Sequence, residues 1–315
     1  MTETCVGGIP TDIACMTATA CVAAGYNSHS VGDVIALRHG APTHVSVIAG
    51  TQAVYSVSCP SSAGCIGLVR TGNDIGTELA VINAAGVVTR VLRYSTPAGT
   101  NLGHLSCVAL TRCVLAGGNL FSTPPSIEVA WWNGASLSFH RVGVPGKPTS
   151  TIVTDVACIA TTCDVVGYLS RLSSYTGISL QVTGTTGFHL HTVGHDLLYA
   201  DACASAVRCY AVGYTATSGV LVTLVNGSAT TTKTSLTDLS DISCAGSLCS
   251  TVAQTPAVPA SPGKYWGVVY TVVNGSFAAT TDVPQATSLG QVAQVGASWA
   301  AVGSAPGTFV VATTG

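Results

Sequence analysis

Four ionisable side chains share one position of a repeated sequence pattern. Asp12, His104, Asp155 and Asp241 each lie three residues before a cysteine. Carboxylates that lie close together raise one another's pKa or bind a cation, and a histidine among them can exchange protons near neutral pH. These four are therefore the candidate catalytic residues if the protein is an enzyme, with His104 or Asp155 as the base. The structural alternative is that each aspartate, at the entry of its strand, accepts backbone N–H bonds from the preceding turn.

A second group of polar and aromatic side chains follows in a later part of the same pattern, where a loop is expected. Aromatic rings stack on sugar faces, and neighbouring polar groups hydrogen-bond the sugar hydroxyls. The candidate ligand-binding residues are Tyr26, Arg70, Asn119, Tyr168, Arg171 and Tyr214. In an enzyme, Tyr168 or Tyr214 would be the acid, and Arg70 or Arg171 would hold the substrate. The alternative is that each tyrosine ends a strand and packs on its neighbour.

The pattern that carries these residues is a pair of cysteines that recurs six times. Four or five residues separate the cysteines of a pair, and successive copies begin 41 to 51 residues apart. A seventh copy has Gln294 and Trp299 where the cysteines would be. A repeat of this length holds four short strands and their turns, the size of one propeller blade. The sequence therefore predicts an all-β, seven-bladed β-propeller with four antiparallel strands in each blade.

Disulfide bonds are the chemistry expected of the paired cysteines. A zinc site would bring two short-spaced pairs together, whereas each repeat here has one pair that can close its own hairpin. The expected bridges, one in each of six blades, are Cys15–Cys21, Cys59–Cys65, Cys107–Cys113, Cys158–Cys163, Cys203–Cys209 and Cys244–Cys249. Disulfides imply an oxidising compartment. The remaining cysteine, Cys5, is expected to be a free thiol.

The strands expected within a blade are clearest in the fourth copy. There they are Asp155–Cys158, Cys163–Tyr168, Gly177–Thr183 and Phe188–Val193. In other copies, Asn-Gly pairs at 133–134, 226–227 and 274–275 lie between the last two strands, and Asn-Gly is a strong signal for a two-residue hairpin.

The two ends of the chain are expected to meet in the seventh blade. After Gly303 only one further strand, Thr308–Thr313, remains, so that blade lacks its fourth strand. An N-terminal strand of about residues 2–9 is expected to complete it and to remove an open edge that invites aggregation. The whole chain, residues 1–315, is then a single β-propeller domain.

The composition limits the partners that the protein can have. Charged residues make up 8% of the chain, against about 25% in a typical soluble domain. The net charge is −2, whereas a nucleic-acid partner would require a basic stripe. The sequence contains no run of about 18 apolar residues, so it predicts no membrane-spanning helix. The first residues have neither the basic start nor the apolar core of a signal peptide, so we expect the mature form of a secreted protein. We also expect a monomer.

The repeat resembles a known group of proteins. The phrase SC-x(4–5)-C-x-A-V-G followed by a W-N-G hairpin is carried here by Ser106-Cys107, by Cys209 to Gly213, and by Trp132-Asn133-Gly134. It resembles the repeats of secreted bacterial β-propeller proteins, especially of actinomycete type. The resemblance covers essentially the whole chain and implies the fold and export. It implies no single activity and no catalytic residues.

Three functions are consistent with these patterns. The first is a secreted ligand-binding propeller that recognises a carbohydrate, a cell-wall glycan or another small polar ligand at the mouth of its central channel. The second is a propeller enzyme, a polysaccharide lyase or glycoside hydrolase, at the same mouth, and the third is a protein-interaction scaffold. No cofactor is expected, except that the clustered carboxylates could hold a channel cation such as calcium.

Overall fold

The computed structural model describes most of the chain. The described residues are 2–6, 8–71, 77–97, 100–119, 124–146, 148–172, 174–194, 196–215, 217–234, 239–256, 265–305 and 308–314. Within these ranges the regular elements are β-strands, which form seven four-stranded antiparallel sheets. The predicted all-β, seven-bladed propeller is therefore confirmed. The described residues include no helix long and apolar enough to cross a membrane.

Each sheet is one blade, and neighbouring strands in a blade are consecutive in the chain, apart from β1 (Thr2–Val6). Blade 1 consists of β2 (Ile9–Thr17), β3 (Ala20–Tyr26), β4 (Gly32–Arg38) and β5 (Ala41–Val47). Blade 2 consists of β6 (Ala53–Ser61), β7 (Gly64–Arg70), β8 (Thr77–Asn83) and β9 (Val88–Tyr94). Blade 3 consists of β10 (Leu102–Ala109), β11 (Arg112–Asn119), β12 (Ser126–Trp132) and β13 (Leu137–Gly143). Blade 4 consists of β14 (Ser150–Ile159), β15 (Thr162–Arg171), β16 (Ser174–Thr183) and β17 (Gly187–Thr192).

The last three blades follow the same order. Blade 5 consists of β18 (Leu197–Ser205), β19 (Arg208–Tyr214), β20 (Gly219–Val225) and β21 (Ser228–Lys233). Blade 6 consists of β22 (Leu239–Ala245), β23 (Leu248–Pro256), β24 (Tyr265–Val273) and β25 (Ser276–Val283). Blade 7 consists of β26 (Ser288–Val295), β27 (Ser298–Ala305), β28 (Thr308–Thr313) and β1.

The N-terminal strand closes the ring as predicted. β1 pairs antiparallel with β28, from Thr2 opposite Thr313 to Val6 opposite Phe309. The strand ends at Val6, and Ile9, which the sequence placed with it, instead begins the first strand of blade 1. The side chain of Cys5 lies outside the described residues, so its free thiol stays a prediction.

The six predicted disulfides are confirmed. Each joins the first and second strands of one blade across their hairpin, with Cα–Cα distances from 3.8 to 4.1 Å. The loop that each bridge closes spans only five or six residues, so each contributes about 2 kcal/mol in the chain-entropy picture.

A β-bulge interrupts every first strand just before the row of ionisable residues. The pairing skips from Pro10 to Asp12 in blade 1 and from Val153 to Asp155 in blade 4. The same shift occurs in β6, β10, β18, β22 and β26. A bulge leaves one residue unpaired and re-aims its side chain. In blade 4 the strand begins at Ser150, before the bulge and well before the predicted start at Asp155.

The hydrophobic core lies mainly between adjacent blades. On the first strand of a blade, the residue two positions before the first cysteine packs into a hydrophobic cluster. That cluster also contains residues from the second strand of the preceding blade. Such pairs are Val22 with Val57, Ile66 with Leu105, Val114 with Val156, Tyr210 with Ile242, and Ala300 with Ile13. Burial of these side chains fixes the angle between blades and brings the seven first strands together around a central channel.

Candidate functional site

The central channel contains the row of ionisable residues that the sequence predicted. A cavity of about 310 Å³ is lined by the first strands of all seven blades. Asp12, His104, Asp155 and Asp241 all line it. The structure thus brings together at one channel four residues that lie up to 229 positions apart in the chain.

Each channel aspartate bridges its own blade to the next one. Asp12 accepts the N–H of Ile13 at 2.7 Å through Oδ1 and the N–H of Val57, in blade 2, at 2.7 Å through Oδ2. Asp155 accepts Val156 N–H at 2.8 Å and, from blade 5, Asp201 N–H at 3.0 Å. These bonds give the aspartates a structural role, but the donors are the following residue and a neighbouring blade, not the preceding turn.

Asp241 makes the same bridge from blade 6 to blade 7. Its Oδ2 accepts the N–H of Val292 at 2.6 Å. In all three cases the donor lies in the following blade, two residues before its first cysteine. In blade 7 Gln294 takes the place of that cysteine, so the donor lies two residues before Gln294. The repeated aspartate is therefore first of all a connection between blades.

A hydroxyl at the bulge completes each connection. Thr154 donates to Leu198 O of blade 5 at 2.8 Å, and Ser240 donates to Leu289 O of blade 7 at 3.0 Å. Thr11 donates to Val54 O of blade 2 in the same way. We call each Thr-Asp or Ser-Asp pair an interblade clasp. The clasps join blades 1 to 2, 4 to 5, and 6 to 7.

His104 and Asp155 approach each other without forming a charged pair. The His104 Nδ1 lies 3.9 Å from Asp155 Oδ1, and 31% and 25% of the two side chains are exposed to the channel. Burial lowers the pKa of His104 to about 4, although a hydrogen bond with the Val153 backbone raises it. Burial also raises the pKa of Asp155 to about 7, although its two backbone hydrogen bonds lower it. Near neutral pH the imidazole is therefore neutral, and the carboxyl is only partly ionised.

The other two channel aspartates are shifted in the same direction. Burial raises the pKa of Asp12 to about 6, although three hydrogen bonds to the ionised form lower it. Burial raises the pKa of Asp241 well above its usual value, and the Asp155 charge raises it further. The channel is thus a set of weak acids that lose their protons at higher pH than free aspartate does.

The described residues contain no group of three or more His, Cys, Asp and Glu side chains arranged to hold a metal ion. The channel cation stays a prediction.

Two of the predicted ligand-binding tyrosines come together where blades 4 and 5 meet. Tyr168 packs edge-on against Tyr175 with ring centroids 5.6 Å apart, and Tyr199 packs against Tyr214 at 5.4 Å. Burial raises the pKa of Tyr168, and interactions with the Tyr175 and Tyr214 hydroxyls raise it further, so the two ring pairs are adjacent. Tyr199 also lines the channel. We call these four residues the tyrosine cluster.

The predicted arginines and the remaining tyrosine lie in separate blades. Arg70, at the end of β7, donates to the hydroxyl of Tyr55 at 2.7 Å and lies over its ring. Tyr26 ends β3 and is half-buried, and Arg171 ends β15 in an exposed position. The side chain of Asn119 lies outside the described residues. The six candidates therefore do not form one group, and Tyr168 with Tyr214 forms the clearest pair.

The sequence did not reveal Tyr175 and Tyr199 of the tyrosine cluster, nor Tyr55, which lies outside that cluster in blade 2. Tyr55 and Tyr199 both occupy the bulge position, four residues before the first cysteine, and Tyr175 follows the tip of the β15–β16 hairpin. The repeat register could have identified Tyr55 and Tyr199, because the same column holds Thr11, Thr154 and Ser240 in the three clasps.

Comparisons with known proteins support the fold. No protein-family model matches the chain, and no curated protein matches it. Among solved structures, YCF48 bound to a D1 peptide aligns with a TM-score of 0.60 at 8% identity, covering 100% of this chain and 95% of that one. Hydrazine synthase of Kuenenia stuttgartiensis aligns with a TM-score of 0.66 at 9% identity, covering 97% and 95%. The six-bladed fungal lectin of Aleuria aurantia aligns with a TM-score of 0.53 at 10% identity, covering 82% and 93%. At such low identity the likeness extends to the fold alone.

Proposed function

We propose that this protein is a ligand-binding β-propeller that recognises a carbohydrate at the channel mouth between blades 4 and 5. The observation that carries the proposal is the tyrosine cluster. It combines ring faces for stacking on a sugar with phenolic hydroxyls for hydrogen bonding. It also adjoins the channel, where partly protonated carboxyls can both donate and accept hydrogen bonds.

The shape of blade 4 favours this place over the other blades. Its second and third strands are 10 residues long, whereas the corresponding strands of blades 1 and 5 have 7 residues. The β15–β16 hairpin carries Leu172, which is 99% exposed, and Tyr175, which is 48% exposed. An exposed apolar residue and an exposed ring beside a polar cluster suit a ligand with both apolar and hydroxylated faces.

The compared propellers and the disulfides are consistent with an extracellular binding protein. The fungal lectin recognises fucose, and YCF48 binds a D1 peptide, so propellers of similar fold bind ligands of these kinds. Six disulfides indicate an oxidising, extracellular environment. We further propose that the protein is secreted, is a monomer and binds a cell-wall glycan.

The contacts of the channel residues favour binding over catalysis. Both oxygens of Asp12 and both of Asp155 already accept backbone N–H bonds, which hold these side chains in place. Each of these hydrogen bonds stabilises the ionised carboxylate and so makes it a weaker base for removing a proton from a substrate.

A glycan array tests the proposal, followed by titration of the best glycan into the wild type and single variants. Tyr175→Ala and Tyr214→Ala should each weaken binding by about tenfold, because each removes a stacking face. Tyr55→Ala is the matched control, since Tyr55 occupies the same repeat position as Tyr199 but lies in blade 2. It should leave the affinity unchanged.

Three other outcomes would change the proposal. Absence of any glycan signal would contradict carbohydrate binding and favour a protein-interaction scaffold. Equal losses for Tyr55→Ala and Tyr214→Ala would move the site away from the tyrosine cluster. Turnover of a bound glycan that disappears in His104→Ala, while binding is retained, would establish the enzyme alternative.

A further inference from the structure

A second large cavity lies between blades 3 and 4, at the end of the strands that is away from the tyrosine cluster. Its volume is about 580 Å³, within the range of about 300–1,000 Å³ that is typical of small-molecule sites. The β10–β11, β14–β15 and β16–β17 hairpins line it. The β15–β16 hairpin, which leads to Tyr175, lies at the opposite end of blade 4. The cavity is therefore distinct from the site proposed for carbohydrate.

The cavity is open because it lacks the contacts that narrow the junction between blades 5 and 6. At that junction a Cβ atom on Gly275, in the β24–β25 hairpin, would lie 3.0 Å from Thr223 Oγ1 and 3.2 Å from Tyr210 Cε1. At Gly184, in the corresponding hairpin of blade 4, a Cβ atom would meet no atom within 4 Å. Val114 occupies the repeat position of Tyr210, and its smaller side chain leaves the space between blades 3 and 4 unfilled. The cavity that Tyr210 lines has a volume of about 300 Å³.

The walls of the blade 3–4 cavity are mainly apolar. Val114 and the Cys158–Cys163 disulfide form part of them, and Trp131 adds an aromatic ring. Trp131 makes an edge-on contact with Phe188 of blade 4, with ring centroids 5.7 Å apart, which holds it between the two blades. Such walls favour a flat aromatic group, because it buries apolar area and packs on a ring with a defined geometry.

A guanidinium supplies the one charge among the described residues that line this cavity. Arg112, the first residue of β11, is exposed, and no carboxylate in the described part of the chain forms an ion pair with it. A guanidinium binds a carboxylate through two parallel N–H bonds. An unpaired cation beside apolar walls therefore favours an anion that also has apolar surface.

We propose that the blade 3–4 cavity binds one aromatic carboxylate, with its ring against Trp131 and its carboxylate on Arg112. An inorganic anion would leave the apolar walls unused, and a neutral aromatic compound would leave the guanidinium unpaired. Burial of the ring supplies most of the affinity, and the charged hydrogen bonds select the acid. This binding is independent of carbohydrate recognition at the tyrosine cluster and adds a second class of ligand.

Isothermal titration of cinnamate, and of its neutral analogue cinnamamide, into the whole protein near neutral pH tests the proposal. The wild type should bind the acid about tenfold more tightly than the amide. Arg112→Gln should weaken binding of the acid by about tenfold and change that of the amide by less than about twofold, because only the acid uses the guanidinium charge. Arg208→Gln is the matched control, since Arg208 also precedes a second cysteine but lies at the blade 5–6 junction. It should change neither affinity.

A second variant tests the position of the ring. Val114→Tyr introduces the side chain that narrows the blade 5–6 junction. It should weaken binding of both the acid and the amide at least about tenfold, because the added ring takes up the space that the ligand needs.

Three results would overturn the proposal. The first is no binding of cinnamate by the wild type at about 10 mM, a concentration that reveals even a millimolar dissociation constant. The second is an equal loss of acid binding in Arg112→Gln and Arg208→Gln, and the third is an equal loss of acid and amide binding in Arg112→Gln. Should Val114→Tyr fail to fold, the comparison of acid with amide in Arg112→Gln, which changes an exposed residue, still decides.

Discussion

Replacing Asp12 with asparagine should make the stability of the protein less dependent on pH. Asp12 has its pKa raised from 3.8 to about 6, mainly by burial at the channel. The folded state therefore holds the Asp12 proton over a range where the unfolded state has lost it. Stability linked to this group is present below pH 4 and is lost as the pH rises through 6.

The size of the effect follows from the shift. A shift of about two pKa units corresponds to about 3 kcal/mol at 1.36 kcal/mol per unit. We expect about 2 kcal/mol, because Asp12 faces a channel that water can enter and is partly exposed. The Asp12 charge also raises the pKa of Asp155 and Asp241, so its removal relieves repulsion in the same pH range and the same direction.

Urea unfolding followed by tryptophan fluorescence, at pH 4 and pH 7, measures this effect. Asp12→Asn disturbs the clasp at both pH values because an amide cannot accept both the Ile13 and the Val57 N–H bonds. Because asparagine does not titrate, the variant itself is unchanged between the two pH values, and the comparison leaves the pH dependence that wild-type Asp12 contributes. The remaining difference should show the variant gaining about 2 kcal/mol relative to wild type between pH 4 and pH 7. Asp282→Asn, which changes an exposed carboxyl, controls for the change in net charge.

The reasoning is refuted if the free-energy difference between Asp12→Asn and wild type is the same at both pH values within about 0.5 kcal/mol, the usual reproducibility of such differences. A change of opposite sign would mean that the ionised carboxylate is stabilised by its hydrogen bonds more than it is destabilised by burial.

Two further predictions concern the connections between strands and blades. Thr154→Val removes the hydroxyl that bonds to Leu198 O and should lower the free energy of unfolding by about 1–3 kcal/mol, whereas Thr149→Val, which removes an exposed bond within blade 4, should change it by less than about 1 kcal/mol. Equal losses in urea unfolding would show that the clasp adds nothing. Replacing Cys158 and Cys163 together with serine should cost about 2 kcal/mol, because the closed loop is short, and should leave far-ultraviolet circular dichroism unchanged. Loss of the β signal would mean that the bridge is needed for folding.

The fold could be predicted from the sequence because the cysteine pairs mark the length of each repeat. Cysteines at short spacing, such as Cys107 and Cys113, locate the hairpin between the first two strands of a blade. Once that hairpin is fixed in each repeat, the missing strand of the last blade follows by counting. Charged residues on the strands do not help to count the strands or blades. An example is the buried Glu128, which pairs with Arg141 at 2.7 Å.

The site could be predicted only in part, because it depends on features that alternation along a strand does not contain. The bulge places Thr154 and Asp155 so that both reach blade 5, whereas regular alternation would send neighbouring side chains to opposite faces. The proximity of Asp164 and Asp201, close enough for the Asp164 charge to act on Asp201, also requires knowing which strand of one blade faces which strand of the next. The tyrosine cluster joins residues from four strands, and only Tyr168 and Tyr214 share a repeat position that the sequence reveals.

The pairing of β1 with β28 has a consequence for the order in which the molecule can assemble. Residues 2–6 are synthesised before blades 1 to 6, whereas their partners at 309–313 are synthesised after all six of those blades. Blades 1 to 6 each draw their strands from one continuous segment and can form as synthesis proceeds, whereas the ring stays open until the final strand is available. During that interval the edge of the first strand is unpaired, so a holding factor or a delay in collapse would protect the nascent chain from joining with another copy.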